Sequence, residues 1–341
     1  MKKILKYGIP TLFTVGVIIG FIGYKKIYGN AVVKNGQLFI SSTNTIEQVK
    51  EKLQPFIQNT NDFDLVVSLK KYSKPKAGMY ILKTGMSMNN LINMLRIGNQ
   101  TAVKITFNNQ DTLEKLAGRI SKQIEADSIT LLTAMKESNF LTKNNFTEKS
   151  ALGMYIPNQY EVYWNTSAES FRNKMLKEYK RFWNTDRITK AKKLKLTQNQ
   201  VSTLASIVQK ETAQKSERPT VAGLYLNRYK NNWPLQADPT VIFALKEKLG
   251  HHTIIKRVLN KDLTIDSPYN TYKNIGLPPS LISMPDVSAI DAVLNPEKHN
   301  YFYMCASVTN IGFHEFAKTL TQHNRNAQKY QNWINKRGIK R

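Results

Sequence analysis

Cysteine is nearly absent: the 341 residues contain one, Cys305. That excludes an intramolecular disulfide and a cysteine-based metal site, and a lone thiol does not report a redox compartment. It sits in Tyr301-Phe302-Tyr303-Met304-Cys305-Ala306, a run expected to form a buried strand. Acidic residues are also scarce, 24 against 50 Lys and Arg, for a formal charge of +26. Such an excess fits a polyanionic partner or surface (nucleic acid, anionic lipid or an acidic wall polymer), or a basic composition with no partner behind it. The charge comes without zinc-finger spacing, a recognition motif or a basic helix of the usual kinds, so no nucleic-acid partner is expected. The histidines are His251, His252, His299, His314 and His323, and none forms an H-E-x-x-H pattern. No metal and no cofactor is expected; His314 and His323 either line a site or are packed. The hydrophobic fraction of 41% is ordinary for folded domains, and the length suits roughly two of them.

Long apolar runs occur once. Lys2, Lys3 and Lys6 precede the uncharged residues 7–24, and Lys25 and Lys26 close the stretch. That is about the length needed to cross a bilayer core. A cleaved signal peptide would have a shorter apolar core and a small-residue cleavage site; Gly23-Tyr24-Lys25-Lys26 offers none. Residues 1–29 are therefore expected to be a cytoplasmic tail and an uncleaved transmembrane anchor. Positive charge on both flanks weakens the positive-inside rule, but the short tail is expected inside and the body exported.

Residues 36–125 repeat one pattern three times: a β-rich run, a polar turn, an amphipathic helix. The strands are Gln37-Leu38-Phe39-Ile40, Met79-Tyr80-Ile81-Leu82 and Val103-Lys104-Ile105-Thr106-Phe107. The helices carry Ile46, Val49 and Leu53, then Leu91, Ile92 and Leu95, then Leu113, Leu116, Ala117 and Ile120. Asp111 with Glu114 reads as a capping box. The repeats predict small α+β modules packed strand against strand. The Asn- and Lys-rich residues 138–150 look like a linker. After it, the aromatic-dense Gly153-Met154-Tyr155-Ile156-Pro157-Asn158-Gln159-Tyr160-Glu161-Val162-Tyr163-Trp164 fits a core strand or a sugar-stacking wall. Residues 167–196 are basic and helical, with Phe171, Met175, Tyr179 and Phe182 along one side.

Chemistry is expected from Thr197 onward. Thr197 and Gln200 form a capping box, and Val201, Leu204, Ala205, Val208 and Thr212 fall on one helix face. Lys210 points away from that face, whereas Glu211 lies on its edge. A carboxyl held against apolar surface is desolvated and its pKa rises, which suits a proton donor near neutral pH. The bland alternative is an ion pair with Arg218 or Arg228. A second apolar helix carries Val221, Leu224, Tyr225 and Leu226. Then come Leu235-Gln236-Ala237-Asp238-Pro239-Thr240-Val241 and Ser267-Pro268-Tyr269-Asn270-Thr271-Tyr272, loops rich in amide, hydroxyl and aromatic groups suited to a sugar ligand. Asp238 also reads as a helix N-cap with Pro239 at the first helical position.

Taken together, Leu204-Ala205-Ser206-Ile207-Val208-Gln209-Lys210-Glu211-Thr212, Glu217-Arg218, Leu235-Gln236-Ala237-Asp238-Pro239-Thr240-Val241-Ile242, Tyr269-Asn270-Thr271-Tyr272 and Gly276-Leu277-Pro278-Pro279 resemble the endolytic murein transglycosylases, the YceG-like family. Gly78-Met79-Tyr80 with Gly85-Met86-Ser87 resembles the family's LysM-like module, and residues 153–160 its entry to the catalytic region. Ser283-Met284-Pro285-Asp286 departs from the family's Asn-Pro-Gly turn, and Gly312-Phe313-His314-Glu315-Phe316 stands at its C-terminal G-x-H-x-F region. The resemblance implies an α+β chain: anchor 1–29, LysM-like region 30–140, YceG-like catalytic domain 141–341.

It also implies a lyase that cuts the β-1,4 bond between N-acetylmuramic acid and N-acetylglucosamine within glycan strands. The products carry 1,6-anhydro ends, and the cut limits nascent strand length. Glu211 matches the catalytic Glu; Gln236, Asp238, Thr240, Tyr269, Asn270, Thr271, Tyr272 and Glu217 are expected at the substrate. Expected partners are peptidoglycan strands, the cell membrane and peptidoglycan synthases. Two alternatives stand beside it: a muramidase-type hydrolase pairing Glu211 with Asp238 or Glu217, since a hydrolase normally needs two carboxylates, and a non-catalytic peptidoglycan-binding anchor protein.

Overall fold

The computed structural model describes residues 2–255 and 257–337. In chain order the elements are α1 (Lys2–Tyr28), β1 (Gly36–Ile40), α2 (Ile46–Leu53), α3 (Thr60–Leu69), β2 (Gly78–Leu82), α4 (Met88–Ile97), β3 (Val103–Phe107), α5 (Leu113–Ile120), α6 (Ser128–Met135) and α7 (Ser138–Lys143). They continue with β4 (Asn158–Val162), α8 (Ala168–Phe182), α9 (Thr185–Lys193), α10 (Gln198–Glu211), α11 (Arg218–Lys230), α12 (Asp238–Leu249), α13 (Val287–Leu294), β5 (Tyr303–Ala306), β6 (His314–Ala317) and α14 (Leu320–Lys336). All three expected strand–turn–helix repeats form. The chain divides into two compact, interleaved units. The first takes residues 1–105, 120–127 and 159–167; the second takes 106–119, 128–158 and 168–341. A boundary at residue 140 falls inside α7.

In the first unit, β1 and β2 pair antiparallel, Leu38 opposite Tyr80 and Ile40 opposite Gly78. β3 pairs instead with β4. Alternation sends Leu38, Ile40, Tyr80 and Leu82 to one face, where Val49 and Leu53 of α2, Phe63 and Val66 of α3, and Leu91, Ile92 and Leu95 of α4 meet them. Thr45 starts α2 with a capping box and Ser87 caps α4. α3, absent from the three-repeat pattern, is capped by Asn59. α1 contains a window, Thr11–Tyr28, of mean hydropathy 1.3 and unburied, long and apolar enough to cross a membrane. Its last turn belongs to the folded unit: Ile27 packs on the core and Lys26 Nζ lies 3.8 Å from Asp62.

The second unit is mainly helical. α10 packs against α11, α12 and α13. Residues 138–150 are not a linker. Glu137 accepts from the Asn139 and Phe140 amides at 3.0 and 3.1 Å to start α7, while Leu141 and Phe146 are buried. The capping box expected at Asp111 is also corrected. Thr112 accepts from the Lys115 amide at 3.2 Å, which leaves Asp111 to pair with Lys210 and Lys115. Two salt links outweigh the burial of Asp111 and hold its carboxyl down at about 2. Cys305 is half-buried on β5, opposite Glu315.

Gly223 lets α11 lie against the segment that feeds β5. A Cβ there would stand 2.5 Å from the Glu297 carbonyl oxygen and 2.6 Å from His299 Nε2. Asn227, one turn on, donates to the carbonyls of His299 and Tyr301 at 2.8 and 3.1 Å. In an unconstrained helix Gly→Ala stabilises by about 1 kcal/mol. Here backbone must shift, and overpacking of this kind costs about 1–3 kcal/mol. Gly223→Ala is therefore predicted to lower the urea midpoint; an unchanged or raised midpoint would show that residues 297–299 yield freely.

Candidate active site

Thr197 and Gln200 exchange both capping hydrogen bonds at the start of α10, 3.2 Å to the Gln200 amide and 2.8 Å from the Thr197 amide. From Val201 to Val208 every residue is buried, more than the one face expected. Ser206 fits because its hydroxyl finds local partners: Oγ donates to the Thr203 carbonyl at 2.7 Å and accepts from the Ile282 amide at 3.0 Å. The helix ends at Glu211, since Thr212 is extended with φ −136° and ψ 133°. Glu211 thus sits at the end of the helix where unpaired carbonyls place negative charge, which disfavours a carboxylate.

The surroundings push in the same direction. Burial raises the Glu211 carboxyl from 4.5 to about 7; the Tyr225 hydrogen bond and the charge of Arg228 oppose this, and the charge of Asp238 adds to it. Tyr225, on α11 and 1% exposed, donates its hydroxyl to Glu211 Oε1 at 2.6 Å. Burial, and then the neighbouring Glu211 charge, hold the phenol well above its ordinary value, so it stays a donor. Arg228, one turn along α11, donates Nε to the Phe302 carbonyl at 2.7 Å and Nη1 to the Leu235 carbonyl at 2.6 Å. The simple ion pair considered for Glu211 does not form. Arg218 is taken by Asp286 at 2.6 Å and Ser288 at 2.5 Å, and Arg228 acts on Glu211 through its field.

The remaining expected site residues separate into two groups. Thr240 and Thr271 are fully buried and share a 2.8 Å hydrogen bond; Thr271 also accepts from the Ala237 amide at 3.0 Å. Asn270 is fully buried, donating to the Leu263 and Ile265 carbonyls at 2.9 and 2.8 Å and accepting from the Tyr272 amide at 3.0 Å. Tyr269 bonds Ser280 at 2.7 Å and packs its ring 4.6 Å from Phe243. Glu217 is 5% exposed, and its carboxylate accepts from the His314 amide at 2.6 Å and faces His314 Nδ1 at 2.9 Å. His323 stacks on Tyr303 at 5.3 Å. Apart from His323, whose buried Nδ1 has no hydrogen-bond partner among the described residues, these groups spend their polar atoms inside the protein.

Gln236, Asp238 and Tyr272 do not. Gln236 and Asp238 are exposed, and Tyr272 is half-buried. The Tyr272 hydroxyl donates to Asp238 Oδ1 at 2.6 Å, while burial first, and that bond second, push the phenol up. Gln236 has φ +50°, a left-handed conformation uncommon outside glycine. Its amide is pinned to the Thr271 carbonyl at 3.1 Å. The N-cap expected at Asp238 falls one residue earlier, at Ala237, with Asp238 opening the helix. The group that sequence reasoning missed is Tyr225, read only as part of an apolar stripe. A Tyr hydroxyl in a buried stripe needs a partner, and that is the available signal.

Residues 38–329 match the model of the YceG-like family. The chain belongs to the YceG-like family. Among its relatives is the "endolytic murein transglycosylase" of Bacillus subtilis (strain 168), 31% identical over 306 residues that cover 85% of this chain and 82% of that one. Another, with the same name, from Streptococcus pneumoniae (serotype 2, strain D39), is 28% identical over 301 residues; the match takes in 79% of this chain but 53% of the pneumococcal protein. The crystal structure of a YceG-like protein from Listeria monocytogenes superposes with a TM-score of 0.57 at 28% identity, covering 85% of this chain and 98% of the other.

Three substitutions test this division of roles. Tyr225→Phe removes the hydrogen bond that favours the carboxylate, so Glu211 is predicted to titrate above its present value of about 7. Carbon-13 NMR of the labelled carboxyl reads this directly, and an unmoved titration would mean the bond does not tune it. Asn270→Ala leaves buried carbonyls unpaired and is predicted to cost about 1–3 kcal/mol of stability. Tyr272→Phe, on the rim, should leave the melting temperature nearly unchanged while lowering glycan cleavage.

Proposed function

We propose that this YceG-like protein is a membrane-anchored endolytic transglycosylase of peptidoglycan. It cuts the bond between N-acetylmuramic acid and N-acetylglucosamine inside a strand without adding water. The observation that carries the reading is Glu211: a carboxyl at the end of a buried helix, with a Tyr225 donor at 2.6 Å and a pKa of about 7. Protonated, it donates to the glycosidic oxygen as the bond to the anomeric carbon breaks. The carboxylate left behind then takes the proton from the sugar's own O6 hydroxyl as that oxygen closes on the anomeric carbon. One chain end becomes a 1,6-anhydro sugar, the other a free 4-hydroxyl, and Glu211 ends protonated as it began.

The nucleophile is already on the sugar, so one carboxyl suffices where hydrolysis normally uses two. Glu217, one candidate for a second carboxylate, is engaged by His314, which favours the single-carboxylate route. Asp238 stays on the rim, so the muramidase alternative is decided by product mass. Gln236, Asp238 and Tyr272 are the proposed contacts to sugar. In this reading Thr240, Tyr269, Asn270, Thr271 and Glu217 shape the site through the hydrogen bonds they make within the protein.

α1 is proposed as a single-pass anchor in the cell membrane, with the body on the exported side. The strand–helix–helix–strand order of β1, α2, α3 and β2 supports a LysM-like glycan-holding module. Placement beside peptidoglycan synthases, so that cleavage limits nascent strand length, completes the proposal.

Glu211→Gln is predicted to lower cleavage of purified glycan strands by about three orders of magnitude, within the range for loss of a general acid. The wild-type products should be lighter than hydrolytic ends by one water. Ends that retain the water would establish hydrolysis, and a fully active Glu211→Gln would remove Glu211 from the chemistry. The proton inventory gives a second check. Folding raises the carboxyl from 4.5 to about 7, so in that interval the native state binds more protons than the unfolded state and stability falls as pH rises. Glu211→Gln abolishes this loss. Its stability relative to wild type should therefore grow between pH 4 and pH 8, by at most about 3 kcal/mol.

A further inference from the structure

The second unit contains a groove of about 850 Å³ that the cleavage chemistry leaves unused. Its floor is apolar, built from Leu113, Leu152, Phe243, the Tyr269 ring and Leu281. Its rim carries both signs of charge, with Glu148, Lys149 and Glu247 prominent and His251 beside them. Lys136 lies between Glu114 and Glu148 at 2.9 and 2.8 Å, and Glu247 meets His251 at 2.5 Å. Lys149 carries no ion pair among the described residues. A smaller cavity of about 120 Å³ shares Asp111, Phe243 and His251 with the groove and reaches Lys210, Pro239 and Ile242.

Its position relates it to the active site. Lys210 precedes Glu211 on α10 and Pro239 follows Asp238 on α12, so the cavity and the candidate site are built on the same two helices.

The lining discriminates among occupants. A bare sugar chain is neutral and is usually held by exposed aromatic faces and amides; here Tyr269 is 4% exposed and bonded to Ser280. A polyanion requires a rim of one sign. A short peptide with small apolar side chains, free carboxylates and an amino group fits a greasy floor between alternating charges. Peptidoglycan bears such a peptide on the lactyl group of each muramic acid. Five extended residues reach about 17 Å, enough to run from a sugar at Glu211 along the groove.

We propose that this groove binds the peptide stem of the muramic acid whose bond is cut, and that it makes the enzyme prefer strands that still carry stems. Stem carboxylates face Lys149, and the stem amine faces Glu247. The proposal rests on the transglycosylase reading of Glu211.

The test uses two substrates, glycan strands with stems and the same strands stripped by an amidase, with the full-length protein. The charge-reversal variant Lys149→Glu/Glu247→Lys changes two exposed side chains, and its melting temperature should match wild type. Wild type should cleave the stem-bearing strands at least about tenfold faster in kcat/KM, and the variant should lose that advantage while keeping the stripped-strand rate. The free stem peptide released by the amidase should shift the NMR resonances of the His251 ring in wild type and not in the variant. No preference in wild type, a preference kept by the variant, an equal fall on both substrates, or silence at His251 would each overturn the groove. Glu211→Gln separates the two readings: activity retained in that variant defeats the catalytic assignment, whereas loss on both substrates leaves the groove to be judged on the stem preference alone.

Discussion

A carboxyl at the last residue of a buried helix is the constraint around which the second unit is arranged. Such a group has three reasons to stay protonated: it is desolvated, it lies at the negative end of the helix, and Asp238 adds a like charge. Left alone it would be locked in the acid form and could not act as a base. Tyr225 and Arg228 supply the counterweight. The phenol bonds one carboxylate oxygen at 2.6 Å, and the guanidinium contributes its field without contact. The result near 7 is a balance in which neither protonation state is remote, which a group needs when it must donate a proton and then recover one.

That balance depends on α11 being held still, since Tyr225 and Arg228 are one turn apart on it. Arg228 ties the helix to Leu235, before α12, and to Phe302, before β5. Asn227 adds two bonds to the same segment. At the other end of α11, Glu217 binds His314 at the start of β6, and Arg218 binds Asp286, the cap of α13. Gly223 in between allows the close approach. One short helix thus fastens the β5–β6 hairpin, α13 and α12 to Glu211, the proposed acid and base. The buried polar groups along it are spent on position, and each would be costly to leave unpaired.

Much of this was legible in the residues. The capping box at Thr197, the run to Glu211 and the elevated pKa expected of a carboxyl at an apolar edge correspond to what α10 displays. The three strand–turn–helix repeats formed because alternation and helical spacing are local patterns. What could not be read was partnership over long sequence separations. Tyr225 looked like core because its hydroxyl partner is fourteen residues away on another helix. Residues 138–150 looked like a linker because Asn and Lys dominate, yet buried Leu141 and Phe146 suffice to anchor the segment. The pairing of β3 with β4 was equally hidden, since strand partners are chosen by tertiary packing.

The aromatic and amide residues of the 267–272 loop carry a more general point. Tyr269, Asn270, Thr271 and Tyr272 are adjacent and have similar chemistry, and all four were expected at the sugar. Burial separates them. Asn270 closes the loop on the carbonyls of Leu263 and Ile265, Thr271 fixes Gln236 and Ala237 across a buried contact with Thr240, and Tyr269 turns into the interior. Tyr272 alone emerges, bonded to Asp238, opposite a Gln236 whose backbone is held at φ +50°. A non-glycine residue keeps that conformation when its neighbours over-determine it, and the Thr271–Thr240 pair does so here. The loop therefore works as a lever. Three buried residues hold a fourth, and the strained Gln236, toward solvent, so a motif of residue types suited to a sugar is mostly a device for placing the few that reach outward.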